Sequence, residues 1–205
     1  MVIKTISVDS VMLYMGDGIS PEILDKVQTT YIVLKHIRGV IDITPSYNSI
    51  LIRYDINIYD HKSIKKSILK SLNSISTHKT DKIEKRITVP TRYDETVALD
   101  LRRIAEINSL TIREVIRLHT EQTYRVYAIG FMVGFAYLAT LDKKIITPRL
   151  ETPRAKVPKG SVAIADNQTA IYPKDSAGGW NIIGYTEFDR FEEFSVGDIV
   201  EFVSI

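Results

Sequence analysis

The sequence predicts an α+β chain. A small two-layer α+β domain covers residues 1–83, and a β-barrel carrying two short helices covers 84–205. Three observations predict this. The first half alternates β-branched runs with helical apolar stripes in the order strand–strand–helix–strand–strand–helix. From Asn73 to Lys85 the chain is rich in Ser, Thr and Lys and loses its apolar period, which marks a linker with a boundary near residue 83. After His119 no long helical pattern occurs, and short β-rich runs separated by Gly, Pro and Asp follow.

In the first domain, VIKTISV and VMLYM read as two strands. Ser20 before Pro21 is an N-cap followed by proline at the first helical position. Ile23, Val27, Leu34 and Ile37 recur at helical spacing, and Gly39 stands where a left-handed residue ends a helix. VIDIT (40–44) and SILIRYDINI (49–58) are the next strands. Asp60 then caps a helix striped by Ile64, Ile68 and Leu72. In the second domain RITVP opens as a strand. The segment 94–107 carries Val97, Leu101 and Ile104 at helical spacing, and Thr111 with Glu114 forms a capping box ahead of Val115 and Leu118. The later strands are YRVYAIGF, SVAIA, TAIYP, WNIIGYT and IVEFV.

Composition excludes several function classes. With 44% hydrophobic and 25% charged residues the chain forms a core, and with no cysteine it has neither disulfides nor a thiolate nucleophile. MVIKTISVDS lacks an apolar signal region, and no apolar run approaches the roughly 18 residues that span a bilayer. A cytoplasmic protein with no membrane partner is expected. Between His61 and Arg86 eight Lys/Arg face two Asp/Glu, a run without interleaved aromatics. A solvated helix face followed by a linker explains it better than nucleic-acid binding, so no nucleic-acid partner is expected.

No phosphate loop, dinucleotide fingerprint, nucleophile elbow or HExxH motif occurs, and the four histidines show no metal-ligand spacing. No metal and no cofactor is expected in this chain; ATP, if used, belongs to a partner subunit. Clustered candidates remain. Phe131, Phe135 and Tyr137 surround two glycines and line either a concave surface or the barrel core. Arg149 and Arg154 each follow a proline; a guanidinium there suits a carboxylate or braces a loop carbonyl. Gln168 and Thr169 read a polar ligand or cap the loop. Trp180 is core or pocket floor. His119, on the apolar face of its helix, is a core residue or a general acid/base.

Together these residues are more specific than any one of them. Leu118-His119-Thr120, Tyr124, Val126, Gly130 to Leu138, Pro148-Arg149, Pro153-Arg154, Val157 to Pro173, Gly178-Gly179-Trp180 and Ile183-Gly184 match the series LHT, YxV, GFxxGFxYL, PR, PR, VPxGSVxIAxNQTxIYP, GGWxxIG. The series resembles the family of 5-oxoprolinase small subunits, allophanate hydrolase subunit 1-like proteins and the sporulation kinase inhibitor KipI, from residue 86 to about 203. The resemblance implies a cyclophilin-like barrel for the second domain. It also implies a heteromeric complex with a larger homologous barrel subunit and a lactam-utilisation-type subunit, which hydrolyses 5-oxo-L-proline to L-glutamate at the expense of ATP. Two alternatives follow from the same resemblance: inhibition of a sensor histidine kinase, and a role related to urea carboxylase and allophanate hydrolase.

In the leading reading the barrel pocket is lined by Phe131, Phe135, Tyr137, Arg149, Arg154, Gln168, Thr169, Tyr172 and Trp180. Arg149 or Arg154 would hold the substrate carboxylate, with His119 and Arg154 as the catalytic candidates. Several positions depart from the family pattern. Val133 replaces its proline, Asp166 and Ala170 replace glycines on either side of Asn167-Gln168-Thr169, Ala177 replaces a proline and Tyr185 an arginine. Residues 94–101 replace a glycine-rich stretch. A Cβ in place of glycine restricts both backbone angles and ligand approach.

Overall fold

The Oγ of Ser20 accepts a hydrogen bond from the backbone N–H of Ile23 at 3.3 Å, and Pro21 occupies the first turn, so helix α1 (Pro21–Leu34) starts where its cap dictates. In this computed structural model, residues 1–73 and 85–205 are described. Of the expected linker from Asn73 to Lys85, residues 74–84 lie outside the described residues. Two compact units, Met1–Ile83 and Glu84–Ile205, divide the chain.

In the first unit β1 (Val2–Ser7), β2 (Ser10–Tyr14), β3 (Val40–Ser46) and β4 (Ser49–Tyr54) form an antiparallel sheet in the order β1-β2-β4-β3. Helices α1 and α2 (His61–Asn73) bury Leu24, Val27, Leu34, Ile64 and Ile68, and the sheet adds Val11, Leu13, Ile50 and Ile52 to the same core. Two boundaries differ from the sequence reading. Helix α1 ends at Leu34, and Ile37 packs on the core from the turn beyond it; Gly39, at φ +85°, returns the chain into β3. Strand β4 stops at Tyr54 because the Asp55 carbonyl accepts from Ile58 and Tyr59 and its carboxylate accepts from Asn57, closing a turn inside the expected strand. Lys62, Lys66 and Lys70 lie exposed on α2.

The second unit holds seven strands in one sheet. They are β5 (Arg86–Thr91), β6 (Thr123–Ile129), β7 (Ala136–Ala139), β9 (Ser161–Ala165), β10 (Gln168–Ile171), β12 (Asn181–Tyr185) and β13 (Ile199–Ser204), in the order β12-β9-β10-β7-β6-β13-β5. Among the described residues only the β13–β5 pair is parallel. The two edge strands meet through mutual backbone bonds between Arg92 and Tyr185, at 2.8 and 2.9 Å, so the sheet is a nearly closed barrel. A separate ribbon pairs β8 (Arg154–Val157) with β11 (Ser176–Gly178).

Helices α3 (Leu101–Ile107) and α4 (Ile112–Thr120) pack on β12 and β13 respectively, and α4 begins at the Thr111–Glu114 capping box. The expected helix at 94–107 starts late. Asp94 closes a turn onto Val97 and Ala98, and the Asp100 backbone N–H is spent on the Ile182 carbonyl at 2.8 Å. No helix among the described residues is long and apolar enough to cross a membrane.

The strands around β9 are buried on both faces, and alternate residues serve two different clusters. Val162, Ile164, Ile171, Leu138 and Ile183 face the main core under the helices. Ala163, Ala165, Ala170, Tyr172 and Ile182 face a second cluster with Phe135 and Trp180. That second face carries the candidate site.

Candidate functional site

A concavity of about 170 Å³ opens over the second cluster, lined by Phe131, Phe135, Tyr137, Arg149, Ala165, Asp166, Gln168, Tyr172, Gly178 and Trp180. Its floor is aromatic. Phe135 is fully buried, and the rings of Phe131, Tyr137, Tyr172 and Trp180 pack edge-on against it with centroids 5.4, 4.9, 5.4 and 5.7 Å away. Edge-to-face contacts are worth about 0.5–1.5 kcal/mol each beyond the area they bury, so the floor is stiff. Phe135, just before β7, and Tyr137 within it share this face because they stand two apart.

The Gly-Phe loop is built to present its first ring. Phe131 sits at φ +68° and is 63% exposed at the rim. Gly134 has φ +82°, and a Cβ there would stand 2.7 Å from that of Phe191, so this corner of the turn admits only glycine. Gly178 is required for a different reason: its Cβ would collide with the Tyr172 hydroxyl.

Polar groups enter from the Thr147–Leu150 segment and the β9–β10 turn. The segment is clamped throughout. Asp166 N–H donates to the Thr147 carbonyl at 2.8 Å, Asn181 Nδ2 donates to the Pro148 carbonyl at 3.0 Å, and Leu150 N–H donates to the Gly179 carbonyl at 2.8 Å. Asn181 is itself fixed by a bond from Arg103 to its Oδ1 at 2.5 Å. Arg149 is thus an exposed guanidinium on a rigid backbone, and among the described residues it takes part in no ion pair. Burial raises the Tyr137 and Tyr172 hydroxyl pKa values, and the Arg149 charge pulls both back down.

The family model of the carboxyltransferase domain, subdomains C and D, matches residues 1–196. The chain belongs to that family. It is 32% identical over 223 residues to a 5-oxoprolinase subunit of Bacillus subtilis, covering 99% of this chain and 92% of that protein. The crystal structure of TTHA0988 superposes with a TM-score of 0.82 at 29% identity over 97% of this chain, which spans only 40% of TTHA0988. The urea carboxylase of Kluyveromyces lactis matches with a TM-score of 0.76 at 17% identity, over 96% of this chain and 21% of that one, a likeness of fold.

Within this family framework the expected site residues divide. Phe131, Phe135, Tyr137, Arg149, Gln168, Tyr172 and Trp180 line the concavity together. Three others do not. Thr169 follows Gln168 on β10, so its side chain points to the opposite face, where it is fully buried. His119 lies on that side too, wholly buried against Phe202 and Tyr124. Its ring is part of one relay: Tyr93 hydroxyl to Nδ1 at 2.8 Å, Nε2 to Thr169 Oγ1 at 2.9 Å, and Thr169 hydroxyl to the Ala163 carbonyl at 3.1 Å. A neutral imidazole with its proton on Nε2 satisfies every group in that chain, and burial lowers its pKa to about 3.

Arg154 is the third. Its Nη2 lies 2.7 Å from Oδ1 of the buried Asp100, whose other oxygen accepts the Ile182 N–H at 2.7 Å. The pair ties the β8–β11 ribbon to the barrel edge, and Arg154 does not line the concavity.

Sequence reasoning missed Asp100 and Asn181, which anchor Arg154 and the Arg149 backbone. It noted Asp166 only as a departure from the family pattern, yet Asp166 lines the site. The other departures lie elsewhere: Val133 is 88% exposed at the loop tip, Ala170 is buried beneath the aromatic floor, Ala177 is exposed on β11, and Tyr185 sits at the barrel seam under Arg92. Among the described residues no group of three or more His, Cys, Asp or Glu is placed to hold a metal ion.

Proposed function

We propose that this chain is the non-ATP-binding subunit of a 5-oxoprolinase, with ATP carried by a partner subunit and 5-oxo-L-proline bound in the concavity. One observation carries the reading: Arg149, which takes part in no ion pair among the described residues, stands on a clamped backbone at the rim of a small aromatic-floored concavity. The near full-length likeness to the Bacillus subtilis 5-oxoprolinase subunit supports the substrate assignment. Pockets for drug-sized molecules run to about 300–1,000 Å³. A concavity of about 170 Å³ suits a small ring bearing one carboxylate.

A lactam carbonyl is a poor electrophile; transfer of the ATP γ-phosphoryl group to its oxygen would activate the carbon towards water. The ring C–N bond would then break to leave an acyl phosphate, and hydrolysis of that would release phosphate and glutamate. This chain contributes orientation: Arg149 holds the carboxylate, and the rings exclude water from the apolar edge of the lactam. His119 and Arg154 keep the barrel and ribbon in register without touching substrate. The exposed Phe131 and Val133 beside the concavity suit an interface with the larger barrel subunit, and the nearly closed sheet supports a cyclophilin-like description of this unit. The kinase-inhibitor and urea-carboxylase readings draw on no feature of the site itself.

The test is reconstitution with the two partner proteins and measurement of ATP-dependent glutamate release from 5-oxo-L-proline. Arg149→Ala is expected to raise KM by at least about tenfold, the worth of a charged hydrogen bond, with an unchanged melting temperature. Full activity in that variant would remove Arg149 from the reading, and an inactive complete assembly would overturn it.

A further inference from the structure

We infer that Asp166 is a specificity-determining residue of the concavity, accepting a hydrogen bond from the N–H of a ligand whose carboxylate is held by Arg149. The inference rests on the binding reading above and adds the second half of the ligand's chemistry, a donor next to the acid.

Asp166 lines the same concavity as Arg149, and the two backbones are joined: Asp166 pairs with Thr147, two residues before Arg149, through its N–H bond to the Thr147 carbonyl. A cation and an anion therefore line one concavity from two segments joined by a backbone hydrogen bond. Among the described residues neither side chain takes part in an ion pair, so both charges are available to a ligand. Asp166 also holds φ +50°, in the left-handed region that glycine occupies at no steric cost. Aspartate tolerates that angle in a tight turn, so the β9–β10 turn can present a carboxylate on the concavity.

A second acid beside a carboxylate-binding arginine weakens the binding of a plain carboxylate by like-charge repulsion. The repulsion turns to attraction when the ligand carries an N–H on the atom next to its carboxyl-bearing carbon. A five-membered lactam acid has that arrangement: ring N–H and carboxylate are neighbours, and the concavity offers both an acceptor and a cation. Selectivity then comes from the ring atom. A lactone acid of the same shape presents a lone pair where the lactam presents a hydrogen, and a site built around that hydrogen rejects it.

The experiment measures binding of 5-oxo-L-proline and of its lactone analogue, in which oxygen replaces the ring N–H, to the full chain by titration calorimetry. The wild type is expected to prefer the lactam by about tenfold or more, the scale of one hydrogen bond to a charged group. Asp166→Gly, which suits the backbone angle, should bring the ratio close to one, and Asp166→Asn should lower it part of the way. Arg149→Ala should weaken both ligands together and leave their ratio unchanged. Lactam binding with the same lactam-to-lactone ratio in Asp166→Gly as in the wild type would overturn the role of Asp166 while leaving the carboxylate site standing. Failure of the wild type to bind either compound would overturn the carboxylate site and this inference with it.

Discussion

The Nε2 of His119 lies 2.9 Å from the Oγ1 of Thr169, on the core side of a strand whose neighbouring residue Gln168 faces the concavity. One residue of β10 thus separates barrel chemistry from site chemistry. A histidine that reads in sequence as a candidate acid/base is held neutral by burial and by two partners that need only one of its protons.

That arrangement sets a pH dependence. The folded His119 pKa is lowered to about 3, whereas the unfolded side chain titrates near 6.5. The unfolded state binds the extra proton across that interval, so the contribution is fully present above about pH 6.5 and is lost as pH falls towards 3, at up to about 1.4 kcal/mol per unit. The expected loss by pH 5 is about 2 kcal/mol. Denaturant unfolding followed through Trp180, the single tryptophan, should show the wild type losing this much relative to His119→Gln between pH 7.5 and 5. The His119 imidazole resonances should stay at their neutral positions over the same range. A mid-point near pH 6 in those resonances would contradict the buried relay.

How much of this was legible follows from what each signal measures. The α2 stripe of Ile64, Ile68 and Leu72 and the caps at Ser20, Asp60 and Thr111 are local, and they place their helices correctly. Strands β7, β8 and β11 have only three or four residues, too short to show an alternation above the surrounding loop. The segment 94–107 carries a helical period, but the Asp100 backbone and carboxylate are engaged by Ile182 and Arg154, residues far along the chain, and no local pattern reports that. Period-two parity is visible in the sequence and already separates Gln168 and Tyr172 from Thr169. Which face held the site depended on where Phe135 and Trp180 packed.

Asp100 and Arg154 form a pair that is costly to break. The Asp100 side chain is 6% exposed and Arg154 28%, so the carboxylate depends on its partner more than the reverse. Arg154 Nη1 is buried without a hydrogen bond among the described residues, which leaves the pair one donor short of satisfied. Arg154→Met should therefore cost roughly 2 kcal/mol, near the lower end for hydrogen bonds to a charged group. In thermal melts its loss of stability should accompany any loss of turnover. A variant with wild-type stability and no activity would instead make Arg154 a catalytic residue.

Gly178 and Tyr172 compete for one volume. A methyl group at 178 meets the Tyr172 hydroxyl and lies 2.9 Å from its Cζ. Gly178→Ala should cost about 1–3 kcal/mol, the usual penalty of overpacking. Removing the hydroxyl in the double variant with Tyr172→Phe should recover part of that, because the nearest clash is gone and the ring contact remains. Strict additivity of the two changes in a double-mutant cycle would show that the ribbon moves aside instead.

Asn181 positions the Arg149 backbone and does not itself line the concavity. Its Nδ2 donates to the Pro148 carbonyl at 3.0 Å and to the Ile164 carbonyl at 3.2 Å, so it fixes the Arg149 backbone to the barrel wall. Asn181→Ala removes both bonds in a fully buried place and should cost about 1–3 kcal/mol of stability. In the reconstituted complex its signature should be a KM for 5-oxo-L-proline raised by about tenfold with kcat nearly unchanged, because a displaced guanidinium weakens ground-state and transition-state binding alike. A fall in kcat at constant KM would mean that Asn181 acts on the chemical step, and the clamp on Pro148 would then not be what places the substrate.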